Sequence, residues 1–201
     1  MKKGNILIRT GLLLIAAALF LAGFNIWDNY RAGKAADSVL SQLAPMIEQM
    51  RERAENENGD PDYILNPDMD MPVVKIDGKD CIGVLSMPSI KRELPVISEW
   101  SYPNLKISAC RYAGSAYLDN MIICAHNYDI HFGSLKYLRY GDEIIFTDVD
   151  GNVFSYEVVE IETLRPVAIE EMTAGDWDLT LFTCTIGGST RITVRCEKLG
   201  F

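Results

Sequence analysis

Residues 10–27, TGLLLIAAALFLAGFNIW, carry no charged side chain. With Ile6, Leu7 and Ile8 the apolar stretch reaches about 20 residues, enough for a helix to cross roughly 30 Å of hydrocarbon. Arg9 near its start can extend its guanidinium to the interface, and Trp27 and Tyr30 stand where an interfacial aromatic belt belongs. Lys2, Lys3 and Arg9 precede or open the span; Arg31 and Lys34 follow it, but so do Asp28 and Asp37. The excess of positive charge before the span favours a cytoplasmic N-terminus and an external C-terminal domain. A cleaved signal peptide is the competing reading. Ala16, Ala17 and Ala18 resemble a cleavage site but lie inside the apolar run, and no small-x-small pattern follows Phe24. An uncleaved anchor in contact with membrane lipid is therefore expected.

Charge is divided along the chain. Residues 1–27 carry +3, and the net charge of −9 leaves −12 on the rest. Such an acidic domain argues against a nucleic-acid partner, which requires a basic face. With 201 residues, 48% apolar and 23% charged, the chain can bury one core plus appendages.

Three regions are expected: anchor 1–27, helical stalk and acidic linker 28–72, and β-rich domain 73–201. In the stalk, Val39, Leu40, Leu43, Met46, Ile47 and Met50 recur at three- and four-residue spacing. That periodicity predicts a helix over 37–54 with one apolar stripe, packed on its own domain, and Pro45 predicts a kink or restart. Residues 55–72, rich in Pro, Asn and Asp, read as linker. Beyond them, short apolar runs flank Asp77-Gly78 and Asp150-Gly151, both strong hairpin signals. Closely spaced strands with few helical stretches predict an all-β domain, either a barrel or a sandwich.

The chemistry-bearing residues are few. Of two histidines, His126 follows the apolar run MIICA, a strand exit suited to function, whereas His131 lies in the next loop, where solvation is expected. The five cysteines are Cys81, Cys110, Cys124, Cys184 and Cys196; an odd number leaves at least one free thiol, with buried thiols or disulfides accounting for the rest. No CxxC pair exists, and Cys124 with His126 lacks a diagnostic zinc spacing, so no metal site is expected. Cys184 ends the run LTLFT, and Arg191 opens RITVR after a six-residue connection centred on Gly187-Gly188. Paired as a hairpin, Cys184 and Arg191 become cross-strand partners with Cβ atoms roughly 5 Å apart. A thiol beside a fixed cation has an electrostatic reason to ionise. Arg195 has the same strand parity but lies about 13 Å further along. Thiol, histidine and arginine together suit acyl transfer: nucleophile, acid/base and stabiliser of the oxyanion or substrate backbone.

Five segments, in order, resemble the sortase family: CIGVLSMPSIKRELPV, CAHN, FGSLKYLRYGDEIIF, LTLFTC and RITVR. The resemblance covers about residues 80–199, and LTLFTC is its most specific element. It implies an eight-stranded β-barrel with short helices and a cysteine transpeptidase of the hydrolase class. Cys184 resembles the family nucleophile, His126 its acid/base and Arg191 its arginine. It further implies cleavage of a Leu-Pro-x-Thr-Gly-like sorting motif on secreted proteins bearing a C-terminal sorting signal. A thioester would then be resolved by an amine on a cell-wall precursor or pilin. Ala125 replaces the Gly common before the histidine. A second apolar span near the C-terminus, expected of the two-span pilus-polymerising type, is not found.

In the family, the loop corresponding to residues 164–178 walls the substrate groove, which makes Val167, Ala168 and Ile169 candidates for an apolar pocket; a short helix packed on the barrel is the alternative. Some relatives bind calcium beside this loop, but Glu170 and Glu171 alone do not establish it, and no cofactor is expected. Two other functions fit the same chain: a catalytically silent anchored β-domain that binds a partner, and a hydrolytic cysteine endopeptidase.

Overall fold

The computed structural model describes residues 2–56, 59–175 and 177–200. It opens with α1 (Lys2–Asn56), one unbroken helix of 55 residues, about 80 Å long at 1.5 Å per residue. Span and stalk are thus one element rather than two. The helix runs on through Pro45, which lies on an exposed side; Ser41, whose carbonyl Pro45 cannot bond, is exposed too and can be served by water. The charged residues after the span support the helix: Arg31 pairs with Asp28 at 2.9 Å, three residues apart, and Lys34 lies over the Tyr30 ring.

The two halves of α1 meet different surroundings. The apolar window of the first half has mean hydropathy 2.2 and none of it is buried by protein, as suits a helix whose solvent is lipid. In the second half Ala32, Ala36, Val39, Leu43 and Ile47 are buried along one stripe, so the stalk packs on its own domain. Met46, expected in that stripe, is exposed. The linker is also more ordered than its composition suggests. After the one-turn α2 (Asp62–Leu65), Tyr63 stacks on Tyr117 with ring centroids 4.6 Å apart, and Met71 is buried. Residues 57 and 58 of that linker lie outside the described residues.

Nine strands follow: β1 (Val74–Ile76), β2 (Lys79–Met87), β3 (Arg92–Ile97), β4 (Ala109–Ala113), β5 (Met121–Cys124), β6 (Glu143–Asp148), β7 (Val153–Leu164), β8 (Leu179–Cys184) and β9 (Arg191–Lys198). Their order is β1-β2-β3-β4-β5-β8-β9-β7-β6, and β6 pairs back onto β2 through Gly83↔Asp148 to Ser86↔Ile145. β2 to β9 therefore close an eight-stranded barrel, and β1 is a hairpin arm on its rim. Both Asp-Gly signals form turns. Asp77 and Gly78 each have positive φ, as a two-residue type I′ hairpin requires. Gly151 has φ 90°, and a Cβ there would lie 2.7 Å from the Arg51 amide nitrogen of α1, so only glycine lets helix and hairpin meet.

Two clusters form the core. Leu85, Ile123, Phe132, Phe146, Phe154 and Leu181 fill the barrel. Outside it, Val39, Leu43 and Ile47 of α1 cover Ile76, Cys81, Ile97 and Cys110. Two further short helices border the site: α3 (Tyr102–Leu105) and α4 (Ile169–Thr173).

Candidate active site

Adjacent strands bring the three predicted catalytic side chains into one row. β5 and β8 are parallel neighbours with Cys124 opposite Phe182. The pairing continues past the ladder: Ala125 N donates to Phe182 O at 3.3 Å, and Thr183 Oγ1 donates to Ala125 O at 2.8 Å. The same register makes His126 and Cys184 the next positions, leaving neighbouring strands at the same end, where strands lie about 4.8 Å apart. On the other side, β8 and β9 are antiparallel with Cys184 opposite Arg191, the pairing expected from the six-residue connection.

That connection is pinned at its base. Thr185 N donates to Thr190 O at 3.0 Å, and the two threonine hydroxyls lie 2.9 Å apart. Gly187 and Gly188 take positive φ at its tip. Arg191 Nη1 donates to the carbonyls of Gly188 and Thr190 at 3.2 and 3.1 Å. Among the described residues no carboxylate pairs with it, so its charge remains directed to the cleft.

The five cysteines are all unbridged, and Cys184 is the one that is not buried. Cys110 and Cys124 are register partners across β4 and β5 yet remain thiols. Burial pushes the Cys81 thiol up to about 11 and Cys110 up to about 12, and drives Cys124 and Cys196 higher still. These four behave as core residues.

His126 is partly exposed, and burial lowers its pKa from the ordinary value; Asp28 opposes that shift and Lys106 adds to it. The imidazole is therefore mostly neutral at pH 7, able to accept a proton and then return it. His131, expected in solvent, is instead fully buried against α1, because the loop after β5 folds back under that helix.

Cys184, His126 and Arg191 share a cleft of about 420 Å³. One wall is aromatic: Trp100, Tyr102, Tyr112 and Phe182, linked by ring contacts of 5.3 to 6.0 Å. The other is the β7–β8 connection: Arg165, Pro166, Ala168, Ile169 and Met172. Of the three predicted pocket residues, Ala168 and Ile169 line the cleft. Val167 does not; it is 79% exposed, because the chain turns into α4 at Ala168 and points Val167 away. The short-helix alternative for this loop thus coexists with the pocket. The aromatic wall was missed by sequence reasoning. Its only signal was the cluster of aromatics between residues 100 and 112, which the strand pattern does not explain.

Arg195, the reserve arginine, is 2% exposed and lies outside the cleft lining. It donates to Met172 O at 2.8 Å, Glu171 O at 2.6 Å, Thr180 Oγ1 at 3.1 Å and Glu162 Oε1 at 2.8 Å. It thereby staples α4 to the barrel. Glu171 pairs with Arg165 at 3.2 Å, and among the described residues no group of three or more His, Cys, Asp and Glu side chains is placed to hold a metal.

The sequence profile of the sortase domain matches residues 85–199, more than half of the chain. The chain belongs to the sortase family. Sortase A of Bacillus anthracis is 27% identical over 191 residues, covering 92% of this chain and 89% of that one. Sortase C of Clostridium perfringens SM101 is 25% identical, with TM-score 0.53 over 82% of this chain and 92% of that structure. Sortase C of Streptococcus pneumoniae shares the fold at 23% identity, TM-score 0.56, over 84% and 96%. Sortases are membrane-anchored cysteine transpeptidases of the cell surface, and the exposed apolar half of α1 fits such an anchor.

Proposed function

We propose that this sortase cleaves a Leu-Pro-x-Thr-Gly-like sorting motif through a thioester on Cys184 and passes the acyl chain to an amine. The reading is carried by the row formed by His126, Cys184 and Arg191 within one cleft. His126 takes the Cys184 proton. The thiolate attacks the carbonyl carbon of the scissile peptide bond, while Arg191 stabilises the oxyanion or holds the substrate backbone. The C–N bond breaks as His126 protonates the departing amine, leaving the thioester. An incoming amine loses a proton to His126, attacks that carbonyl and releases Cys184. Ala168 and Ile169 would take the apolar side chain of the motif. A sortase C neighbour 25% identical to this chain was solved with the C-terminal cell wall sorting motif, and another is described with respect to pilin substrate specificity. Both support secreted proteins with a sorting signal as donors, and a cell-wall precursor or pilin amine as acceptor.

Residues 1–27 would be the anchor, 28–72 the connection and 73–201 the catalytic domain, with the N-terminus inside and the barrel outside. The proposed steps themselves need no metal or cofactor. The test is the full-length chain in detergent micelles with such a peptide and an amine. Transfer product is expected, and Cys184→Ala should abolish both turnover and thioester trapping. Water as the sole acceptor would make the enzyme an endopeptidase; no turnover at all would leave a silent partner-binding barrel.

A further inference from the structure

The loop bearing His126 is fastened to the first turns of α1 beyond the apolar span. Tyr128 donates its hydroxyl to Asp28 Oδ2 at 2.5 Å. Asp28 is held in turn by Arg31, whose Nε and Nη2 reach Oδ1 at 3.0 and 2.9 Å. The Tyr128 ring meets the His126 imidazole with centroids 5.2 Å apart and planes at 61°, and meets His131 at 5.4 Å and 72°. One turn along, Gly33 admits Ile130 so closely that a Cβ would lie 2.6 Å from Ile130 Cδ1. Ala32 beside it is fully buried. The loop is also closed on itself: the amides of His131 and Gly133 both donate to Tyr128 O at 2.9 Å, and Phe132 N donates to His126 O at 3.2 Å. A Cβ on Gly133 would lie 2.6 Å from Asn127 O. The loop is therefore tied to residues 28–33 of α1 by a hydrogen bond and by close packing.

Against this, His126 itself is weakly held. Among the described residues no hydrogen bond fixes its imidazole, and its ring contact is with Tyr128. An acid/base group must be oriented to within hydrogen-bond reach of the proton it moves, and an unbonded imidazole takes its orientation from the surfaces around it.

We infer that Asp28 and Tyr128 are positioning residues for His126: the membrane-proximal turn of α1 fixes the Tyr128 ring, and that ring sets the face His126 presents to Cys184. The inference rests on the role given to His126 above. It makes the juxtamembrane helix part of the active site's support. The charged and titratable groups facing His126 are Asp28 from α1, with Arg31 behind it, Lys106 from the segment before β4, Tyr128 and His131 from its own loop, and Cys184 of β8 and Arg191 of β9 in the shared cleft. Removing the Asp28 charge leaves Lys106 unopposed, so His126 should then titrate lower.

The experiment uses the full-length chain in detergent micelles. With only two histidines in the chain, ¹³C-labelled imidazole NMR resolves His126 directly, independently of any substrate. Turnover of a Leu-Pro-x-Thr-Gly peptide is measured in parallel. Asp28→Asn and Tyr128→Phe are each expected to lower kcat about tenfold, a fraction of a full acid/base contribution, with KM changed less than about twofold. The double variant should be no slower than the worse single, and Asp28→Glu should recover most of the rate. Asp28→Asn should shift the His126 titration to lower pH. Asp28 is partly exposed, so its near-isosteric amide leaves the fold intact, as thermal unfolding will report. Rates within twofold of wild type, or an additive double variant, would overturn the inference. If the wild type turns over no peptide, the proposed reaction fails instead. The imidazole NMR then decides alone: His126 ring shifts and line widths unmoved in both Asp28→Asn and Tyr128→Phe at a pH where the ring is neutral overturn the positioning role, and shifts moved in both sustain it.

Discussion

His131 predicts how this sortase responds to acid. It is fully buried, and neither ring nitrogen has a hydrogen-bond partner. The Ala32 and Ile107 carbonyls are near enough to favour the proton slightly but form no well-made bond, and burial dominates, lowering the pKa from 6.5 to about 4. Between those values the unfolded chain binds a proton that the folded chain refuses. Stability is therefore full above pH 6.5 and is lost as pH falls toward 4. At 1.36 kcal/mol per pKa unit, the loss from this one group by pH 4.5 is about 2–3 kcal/mol, a large share of a typical domain's total of about 5–15 kcal/mol. Carboxylates also titrate in that range, so the comparison is with His131→Phe, which fills a similar space with no ring nitrogen. The measurement is denaturant unfolding of the full-length chain in micelles at pH 7.5, 6.0 and 4.5. At pH 7.5 the variant should be at least as stable as wild type, since two unpaired nitrogens leave the interior. By pH 4.5 wild type should have lost about 2–3 kcal/mol more than the variant. Parallel pH curves would refute the reasoning, and would mean that His131 accepts its proton within the fold.

Three further outcomes concern the cleft and the wall behind it. Arg191→Ala should lower kcat about 10²-fold with little change in unfolding temperature, because its partners are an exposed carbonyl of Gly188 and a Thr190 carbonyl that also accepts from Thr185 N. Arg195→Ala should instead cost about 2–4 kcal/mol of stability and raise KM, since it strips two α4 carbonyls and Glu162 of their donor; a larger kcat loss at Arg195 would exchange the roles. Ile169→Asp should raise KM about tenfold for an apolar motif residue while leaving kcat within about twofold, since a charge would replace apolar contact area in the cleft wall; steady-state kinetics on the same peptide checks it.

What could be read from the chain was local. The apolar run gave the exposed apolar half of α1, Asp77-Gly78 gave its hairpin, and the six residues after Cys184 gave the Cys184–Arg191 pair. Each depends on neighbours a few positions apart. The adjacency of His126 and Cys184 does not: it comes from a parallel pairing across 58 positions, which no local pattern encodes. The aromatic wall draws Trp100, Tyr102, Tyr112 and Phe182 from separate elements. The helix boundary was misplaced because Asp28, Arg31, Lys34 and Asp37 look like an exit from an apolar segment. Spaced three apart, they also suit a continuing helix, in which Arg31 pairs with Asp28 and Lys34 lies over Tyr30. His131 was expected in solvent because loop position alone does not reveal that α1 lies over it.

The two arginines of β9 show why position on a strand does not assign a role. Both share one face, and the β8–β9 register sets Arg195 opposite Thr180 and Arg191 opposite Cys184. Between them, Thr193 lies opposite Phe182 and directs its hydroxyl at Met172 of α4. One end of this ladder is therefore roofed by α4 and the other is open. Under the roof, the guanidinium must satisfy two carbonyls, a hydroxyl and a carboxylate at once, which a planar five-donor fork does and a lysine ammonium cannot. At the open end, the same side chain finds only loop carbonyls and keeps donors for a ligand. Because α4 carries Met172 and opens at Ala168 and Ile169, Arg195 sets where one cleft wall stands relative to Cys184. The ladder that places Cys184 beside Arg191 thus also fixes the distance between that thiol and the α4 wall of the cleft.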